Sequence, residues 1–329
     1  MYQFIDTRSG GTTVGFLLLA VPFGVIGLVV ALLRRVVVTV GLNEQAGAVA
    51  IARHTRGWRV VGLLLGLVVA VLLLVLGERV DALGRLTALA PTALGAGILL
   101  GTIAGELTAR APVGIRRSAT MERRRLGALV PRGRAAVLGT ATALLVAVLA
   151  LGAAWGSPDD LGRAGRAYSR TCEVVLPDLG RTTLGSSRGP WPGSFYAVPL
   201  GVALVVLALL VVLALRAVVA RPRPELDSHG LDTTLRRWSV GNVLIAATVT
   251  VLGTLGPVAG LVASALSGNQ CPSTALESAV AWGAAVVAPV ATGAALGMLA
   301  GLVLTPTIRV DDLPRPLPGD TAPVGAPVR

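Results

Sequence analysis

The side chains that could carry chemistry in this sequence are few, and most of those inside its long apolar stretches are hydroxyls. The central parts of these stretches contain no charged residue. Because a charge in the middle of a bilayer costs at least about 2.5–3.5 kcal/mol, an ionisable residue there would be a functional candidate. The pattern argues against proton-coupled transport, ion pumping and voltage sensing, and it leaves movement of a neutral solute open.

Three threonines in the last two apolar stretches, Thr248, Thr254 and Thr292, could line a path for such a solute. Threonine hydroxyls in helices often donate to a carbonyl oxygen of their own helix instead, and that alternative needs no path. Convergence of the three side chains on a cavity would favour transport.

Signatures of an enzyme or of a metal site are scarce. His54 and His229 are the only histidines, and neither lies in an H-E-x-x-H motif or near a third ligand. The chain has no lysine and therefore no P-loop lysine, and its apolar stretches hold no G-x-S-x-G motif. We therefore predict a non-enzymatic protein without a cofactor or a metal.

The only two cysteines, Cys172 and Cys271, both fall in connecting segments that we assign to the outer side of a membrane. That side is oxidising in a bacterium and permits a disulfide. We predict a Cys172–Cys271 disulfide, with two free thiols as the alternative.

The elements that must position these groups are long apolar segments. Of 329 residues, 53% are hydrophobic and 14% are charged, whereas a soluble domain has about 25% charged residues. The net charge of +12 is concentrated in short arginine runs between the apolar segments, which is typical of topology signals rather than of a nucleic-acid-binding face. We therefore predict an all-α polytopic membrane helical bundle and no nucleic-acid partner.

Seven segments are long enough to cross a bilayer of about 30 Å. The predicted transmembrane helices are 12–33, 60–77, 86–107, 135–155, 195–215, 240–266 and 279–304. Loops after the first, third and fifth segments are rich in arginine and are therefore expected to be cytoplasmic. This places the protein in the plasma (inner cell) membrane with the N-terminus outside and the C-terminus in the cytoplasm.

Two carboxylates lie at the ends of predicted spans. Glu106 has Arg110 four residues later, a spacing that suits a pair on a helix surface. Glu277 precedes the seventh span, and we expect it to be solvated.

Glycines recur in a G-x-x-L-G-x-x-A-G pattern that is present twice. Their spacing of four places each set on one helix face, where a second helix can approach closely. The predicted helix-packing residues are Gly97, Gly101 and Gly105 in the first copy and Gly293, Gly297 and Gly301 in the second.

Two further echoes occur in the same order as the glycine motif: Ala20–Val25 matches Ala197–Val202, and Trp58 matches Trp238. These landmarks predict a parallel 3+1+3 internal repeat. Its parts are a first three-helix unit at 12–111, a linking helix at 135–155 and a second three-helix unit at 195–304. This topology resembles that of SWEET-type sugar facilitators, and the resemblance covers topology only.

The remaining segments are an outer N-terminal tail at 1–11, a basic cytoplasmic loop at 112–134, an outer loop at 156–194 and a disordered cytoplasmic tail at 305–329. The basic loop is a candidate for binding anionic lipid, unless its charges only fix topology. The arginines concerned are Arg116, Arg117, Arg123, Arg124 and Arg125.

In its arginine, alanine, valine and glycine usage the chain resembles uncharacterised multi-pass membrane proteins of actinobacteria. Two functions follow from the sequence. The first is a non-enzymatic membrane bundle that serves as a scaffold or partner subunit, with another membrane protein or a second copy as its partner. The alternative is a facilitative transporter of a neutral small solute.

Overall fold

Long apolar helices make up most of the structure, a computed structural model that describes residues 21–27, 29, 38–41, 46–80, 83–109, 126–176, 180–221, 229–304 and 308–311. Among the described residues, six helices are long and apolar enough to cross a membrane. This number and length of apolar helices fits an integral membrane protein.

The helices follow the predicted order. They are α1 (21–27), α2 (Ala46–Arg79), α3 (Arg85–Thr108), α4 (Leu126–Leu129), α5 (Arg132–Trp155), α6 (Ser194–Ala220), α7 (His229–Ser267) and α8 (Ala275–Leu304). The helices α2 and α7 begin more than ten residues before their predicted spans, because each helix also includes the polar sequence that precedes its apolar run. The predicted first span, 12–33, is described only at 21–27 and 29 and otherwise lies outside the described residues.

Two small sheets in the described part of the chain make the all-α prediction wrong in part. Strand β1 (Val38–Gly41) pairs in parallel with β4 (Ile308–Asp311), so four residues of the tail predicted to be disordered form a strand. In the predicted outer loop, β2 (Tyr168–Leu176) pairs with β3 (Gly180–Arg188) as an antiparallel hairpin. The β2 sequence YSRTCEVVL is rich in the β-branched and aromatic residues that favour strands.

The helices pack in both antiparallel and parallel pairs, and α2–α3 and α7–α8 are the antiparallel ones. The helix α2 packs on α3 and α7 packs on α8, while α3 also contacts α6 and α7, and α5 lies against α7. Gly24 and Gly27 of α1 face Gly293 and Gly297 of α8, so these two helices run in the same direction. We call the end of the bundle that carries β2 and β3 the hairpin side. The opposite end, where α3 and α6 end and α7 begins, is the arginine side.

The central helix is α7. In the most apolar 18-residue stretch of α7, 72% of the residues are buried, whereas 17% are buried in the corresponding stretch of α6. Leu99, Leu145, Leu200 and Leu255 form the fully buried core where α3, α5, α6 and α7 meet. Valine and leucine side chains on the outer faces of α2 and α6 are exposed, as expected for surfaces that face lipid acyl chains.

Candidate functional sites

The first glycine motif lies against glycines of α2. A Cβ atom added to Gly97 would lie 2.5 Å from the Gly62 carbonyl oxygen and 2.6 Å from the Gly66 Cα. At Gly101 the added atom would lie 2.9 Å from the Gly62 Cα, and Gly105 faces the Trp58 Cβ at 3.0 Å. Only glycine leaves room for these two backbones to approach so closely.

The second motif has a different partner. A Cβ atom on Gly24 would lie 3.5 Å from the Gly293 carbonyl oxygen, and one on Gly27 would lie 3.4 Å from the Gly297 Cα. Gly301 is buried in α8. The two copies of the motif therefore pack against α2 in one case and against α1 in the other.

The three candidate path threonines hydrogen-bond within their own helices. The Thr248 hydroxyl donates to the Leu244 carbonyl oxygen at 2.8 Å. The hydroxyls of Thr254 and Thr292 each donate at 2.9 Å to the carbonyl four residues earlier. The Thr292 hydroxyl also fills the space opposite the backbone of Gly256.

Two cavities among the described residues lie elsewhere. One, of about 320 Å³, is an open groove on α2 lined by Arg53, His54, Gly57, Trp58 and Val61. The other, of about 10 Å³, lies beside Glu277 on the hairpin side. None of the three candidate threonines lines either cavity.

A buried ionic cluster occupies the arginine side, where four helices meet. We define the ionic cluster as Arg59, Glu106, Arg221, Asp232 and Arg236. Glu106 accepts a hydrogen bond from Arg221 Nη1 at 3.2 Å, and both side chains are almost fully buried. The surface interpretation of Glu106 is therefore wrong: packing of α3 against the end of α6 removes it from water and gives it a distant partner.

Within the cluster, Arg236 holds the end of α6 to the start of α7. Its Nε donates to Asp232 Oδ2 at 2.8 Å. Its two terminal nitrogens donate to the Val218, Val219 and Arg221 carbonyl oxygens at 2.6–2.9 Å. These carbonyls belong to the end of α6, where the helix has no further backbone N–H groups to donate to them.

Many polar atoms in and beside the ionic cluster have no hydrogen-bond partner. Among the described residues nine buried side-chain nitrogen and oxygen atoms lack one; five of these belong to the ionic cluster and two to Ser239 and Asn242, which follow Arg236 on α7. The seven atoms are Arg59 Nη2, Glu106 Oε1, Arg221 Nε, Arg221 Nη2, Asp232 Oδ1, Ser239 Oγ and Asn242 Nδ2. Native proteins rarely leave such groups unpaired, so a concentration of them marks a candidate binding site.

On the hairpin side, the Cys172–Cys271 disulfide joins β2 to the segment between α7 and α8. This confirms the predicted disulfide. A second tie is the Glu277 carboxylate, which accepts hydrogen bonds from the Tyr168 hydroxyl and from Arg170 Nη1. The prediction that Glu277 is solvated is wrong, because β2 folds back over the start of α8.

Aromatic side chains fix the hairpin to α5. Trp191 is fully buried, and its Nε1 donates to the Gly152 carbonyl oxygen at 2.7 Å. Its ring lies 4.9 Å from that of Tyr168, which in turn lies 6.4 Å from Trp155. The hairpin therefore rests on the ends of α5, α7 and α8.

The turn before β2 is built around one carboxylate. Asp159 accepts hydrogen bonds from the backbone N–H groups of Leu161 and Arg163 and from the side chains of Arg163 and Arg166. Burial opposes ionisation of Asp159, but these hydrogen bonds outweigh it and hold the pKa of this carboxyl below its ordinary value.

Tyr168 is perturbed in the opposite sense. Burial, followed by the hydrogen bond to the Glu277 carboxylate, raises the pKa of Tyr168 to about 12. Arg170 works against this shift because its positive charge favours the phenolate.

Short sequence motifs indicate part of the ionic cluster and part of the Glu277 contact. Asp232 and Arg236 are four residues apart, the spacing of a helical ion pair. Thr274 and Glu277 form a T-x-x-E capping box, in which the Thr274 N–H donates to Glu277 Oε2 at 2.7 Å.

The five arginines proposed to bind anionic lipid, Arg116, Arg117, Arg123, Arg124 and Arg125, lie outside the described residues.

Comparison of the chain with protein-family models, with curated proteins and with solved structures gives no match. The function is therefore inferred from the geometry of the two sites.

Proposed function

We propose that this chain is a non-enzymatic membrane bundle, a scaffold or partner subunit that presents the β2–β3 hairpin as a rigid docking surface. The observation that carries this proposal is the way the hairpin is fixed to three helix ends by a disulfide, by Glu277 and by buried Trp191. A surface held this firmly loses little conformational entropy when a partner binds.

The exposed part of the hairpin suits such a role. Thr171, Glu173 and Val175 of β2 are exposed, as is Thr183 of β3. Among the described residues the two strands pair only with each other, so the outer edge of each has no strand partner. Such an edge can add a strand from another chain.

The helix packing also supports a scaffold over a transporter. Backbones meet directly at Gly62 and Gly97, and the buried threonine hydroxyls are bonded within their own helices. A facilitative transporter of a neutral solute, the alternative function, would need polar groups that converge on a path.

We further propose that the hairpin side is extracellular, that the arginine side is cytoplasmic, and that the N-terminus is outside. The disulfide on one side and the arginine-rich segments on the other support this orientation in the plasma membrane. A phosphatase reporter fused after Arg329 should stay inactive, whereas a fluorescent protein at the same place should fluoresce. The reverse result would contradict this orientation.

The parallel 3+1+3 repeat belongs to the same proposal. It is supported by crosswise contacts, because the first helix of each unit meets the third helix of the other: α1 lies on α8, and α6 lies on α3. The different partners of the two glycine motifs indicate that the halves have diverged.

The two functions can be separated with purified full-length protein in vesicles. A scaffold should give the same glycerol and glucose permeation as protein-free vesicles, whereas a facilitator should raise one of them saturably. In cell membranes, a photo-crosslinking residue at Thr183 should give a discrete adduct, either with a second copy or with another membrane protein. The same probe at lipid-facing Leu65 is the control, and equal adducts from both positions would argue against docking at the hairpin.

A further inference from the structure

The ionic cluster leaves both donors and acceptors without a hydrogen-bond partner. Its three arginines and two acids leave a net charge of +1, counted as three minus two. Among the described residues, Arg221 makes one side-chain hydrogen bond, from Nη1 to Glu106. Its Nη2 lies 3.6 Å from Asp232 Oδ1, which is an ion-pair contact but too long for a hydrogen bond.

Three more buried donors are found on Arg59 and on α7, in the turns that follow Asp232 and Arg236. Arg59 Nη2, Ser239 Oγ and Asn242 Nδ2 have no hydrogen-bond partner among the described residues. Arg59 lies within electrostatic range of both Glu106 and Arg221. Ser239 and Asn242 are three positions apart on α7 and therefore lie on one face of that helix.

We propose that this cluster binds one phosphate-class oxyanion. The guanidinium groups of Arg59 and Arg221 would donate to its oxygens, because their planar fork suits phosphate geometry. Ser239 and Asn242 add neutral donors.

The two unpaired acceptors make the site selective for a protonated oxyanion. Glu106 Oε1 and Asp232 Oδ1 are both buried and lack a donor. An oxyanion that carries an O–H group, such as hydrogen phosphate, can donate to one of them, whereas sulfate at neutral pH has only acceptors. Sulfate would therefore leave a carboxylate facing a negative oxygen, which is unfavourable.

The phosphate has two possible sources, because Arg59 of the cluster directly precedes the apolar part of α2, which begins at Val60. Residues just outside the apolar part of a membrane-spanning helix are expected at the level of the lipid headgroups, so the bound group would belong either to free phosphate or to the headgroup of an anionic phospholipid. Phosphatidate offers the same protonated oxyanion as hydrogen phosphate.

The test uses the full chain in dodecyl maltoside, a detergent without phosphate, and titration calorimetry at constant ionic strength. Sodium phosphate should bind at one site per chain, and Arg59→Gln should weaken it roughly tenfold or more, the effect of losing a charged hydrogen bond. Arg56→Gln removes the same charge from an exposed position three residues away and should leave the affinity within about twofold.

Arg221 is tested in the paired variant Glu106→Gln/Arg221→Gln, which leaves no unpaired buried charge and should abolish binding. Glu106→Gln alone should reduce the preference for phosphate over sulfate. The second arm of the test uses phosphatidate, with phosphatidylcholine as its control. If phosphatidate alone binds saturably and Arg59→Gln weakens this binding, the source of the phosphate is a lipid headgroup. The proposal is overturned if neither probe binds saturably, if Arg59→Gln has no effect, or if Arg56→Gln has the same effect.

Discussion

Arg221 Nη1 donates a hydrogen bond to Glu106 Oε2 at 3.2 Å although 115 positions separate the two residues in the chain. The pair ties the end of α3 to the end of α6, and the side chains retain 1% and 2% of their exposure. Both charges have therefore given up nearly all of their hydration, and the only compensation that Arg221 has besides this hydrogen bond is a longer ion-pair contact with Asp232 at 3.6 Å among the described residues.

We predict that Glu106→Ala lowers the free energy of unfolding by about 3–5 kcal/mol, because it leaves the buried Arg221 charge without its hydrogen-bonded partner. Glu106→Leu/Arg221→Met removes both charges at similar volume and should be much less destabilising than the single change. Unfolding by dodecyl sulfate in mixed micelles measures both variants. Glu78→Ala is the control, because Glu78 is an exposed carboxylate at the C-terminal end of α2. If Glu106→Ala lowers the free energy of unfolding no more than Glu78→Ala does, the buried pairing of Glu106 with Arg221 is contradicted.

The glycine contact between α2 and α3 gives a second prediction. Gly97→Ala should destabilise the protein by about 1–3 kcal/mol, because the added methyl group overlaps the α2 backbone and the helices must separate. Gly139→Ala is a matched control, since an added Cβ on this glycine of α5 meets nothing within 4 Å. That change should be neutral or stabilise by about 0.5–1 kcal/mol. Similar unfolding curves for the two variants would show that α2 and α3 do not meet at Gly97.

The transmembrane helices could be predicted from the sequence because their signal is local. A run of apolar residues long enough to cross a bilayer is sufficient, and α3, α5 and α8 begin within a few residues of the predicted spans. The disulfide was predictable for a similar reason, since only one pairing of two cysteines exists.

The ionic cluster and the hairpin depend on contacts between distant parts of the chain. Nothing near Glu106 in sequence shows that Arg221 will meet it, so the nearby Arg110 was the natural partner to expect. The hairpin was missed because its strands lie in a segment of mixed charge without a long apolar run, and helix patterns give no information about them. The pairing of Cys172 with Leu184 and the return of Glu277 to Tyr168 become visible only in three dimensions.

The disulfide gives a third prediction. Cys172→Ser/Cys271→Ser should lower stability by about 2–4 kcal/mol, since the bond links residues 99 positions apart and restricts the unfolded chain. Thermal unfolding followed by near-ultraviolet circular dichroism measures the change. Dithiothreitol should shift the wild type toward the double variant and leave the variant unchanged. An equal shift of both proteins by the reductant would show that the bond does not contribute.

The turn around Asp159 should lose stability in acid. The folded-state pKa of Asp159 lies below the unfolded value of about 3.9. Its contribution to stability is therefore full above that pH and is lost as the pH falls through the folded-state pKa. Asp159→Asn should lower the unfolding temperature near neutral pH and flatten its decline between about pH 4 and pH 2. Asp160→Asn changes the exposed neighbouring residue and should keep the wild-type dependence of the unfolding temperature on pH. If Asp159→Asn shows the same pH dependence as Asp160→Asn, the role of Asp159 is refuted.

The Tyr168 hydroxyl should titrate far above an ordinary tyrosine. The chain has three tyrosines, so the difference between the ultraviolet titrations of the wild type and of Tyr168→Phe isolates this group. Its phenolate should appear with a midpoint of about 12, against about 10 for an unperturbed tyrosine. Because the folded state keeps the proton, Tyr168 contributes fully below pH about 10 and loses that contribution as the pH rises toward 12. Glu277→Gln should move the midpoint down while burial keeps it above the ordinary value, and Arg170→Gln should move it up. A midpoint that neither variant moves would show that Glu277 and Arg170 do not act on the Tyr168 hydroxyl.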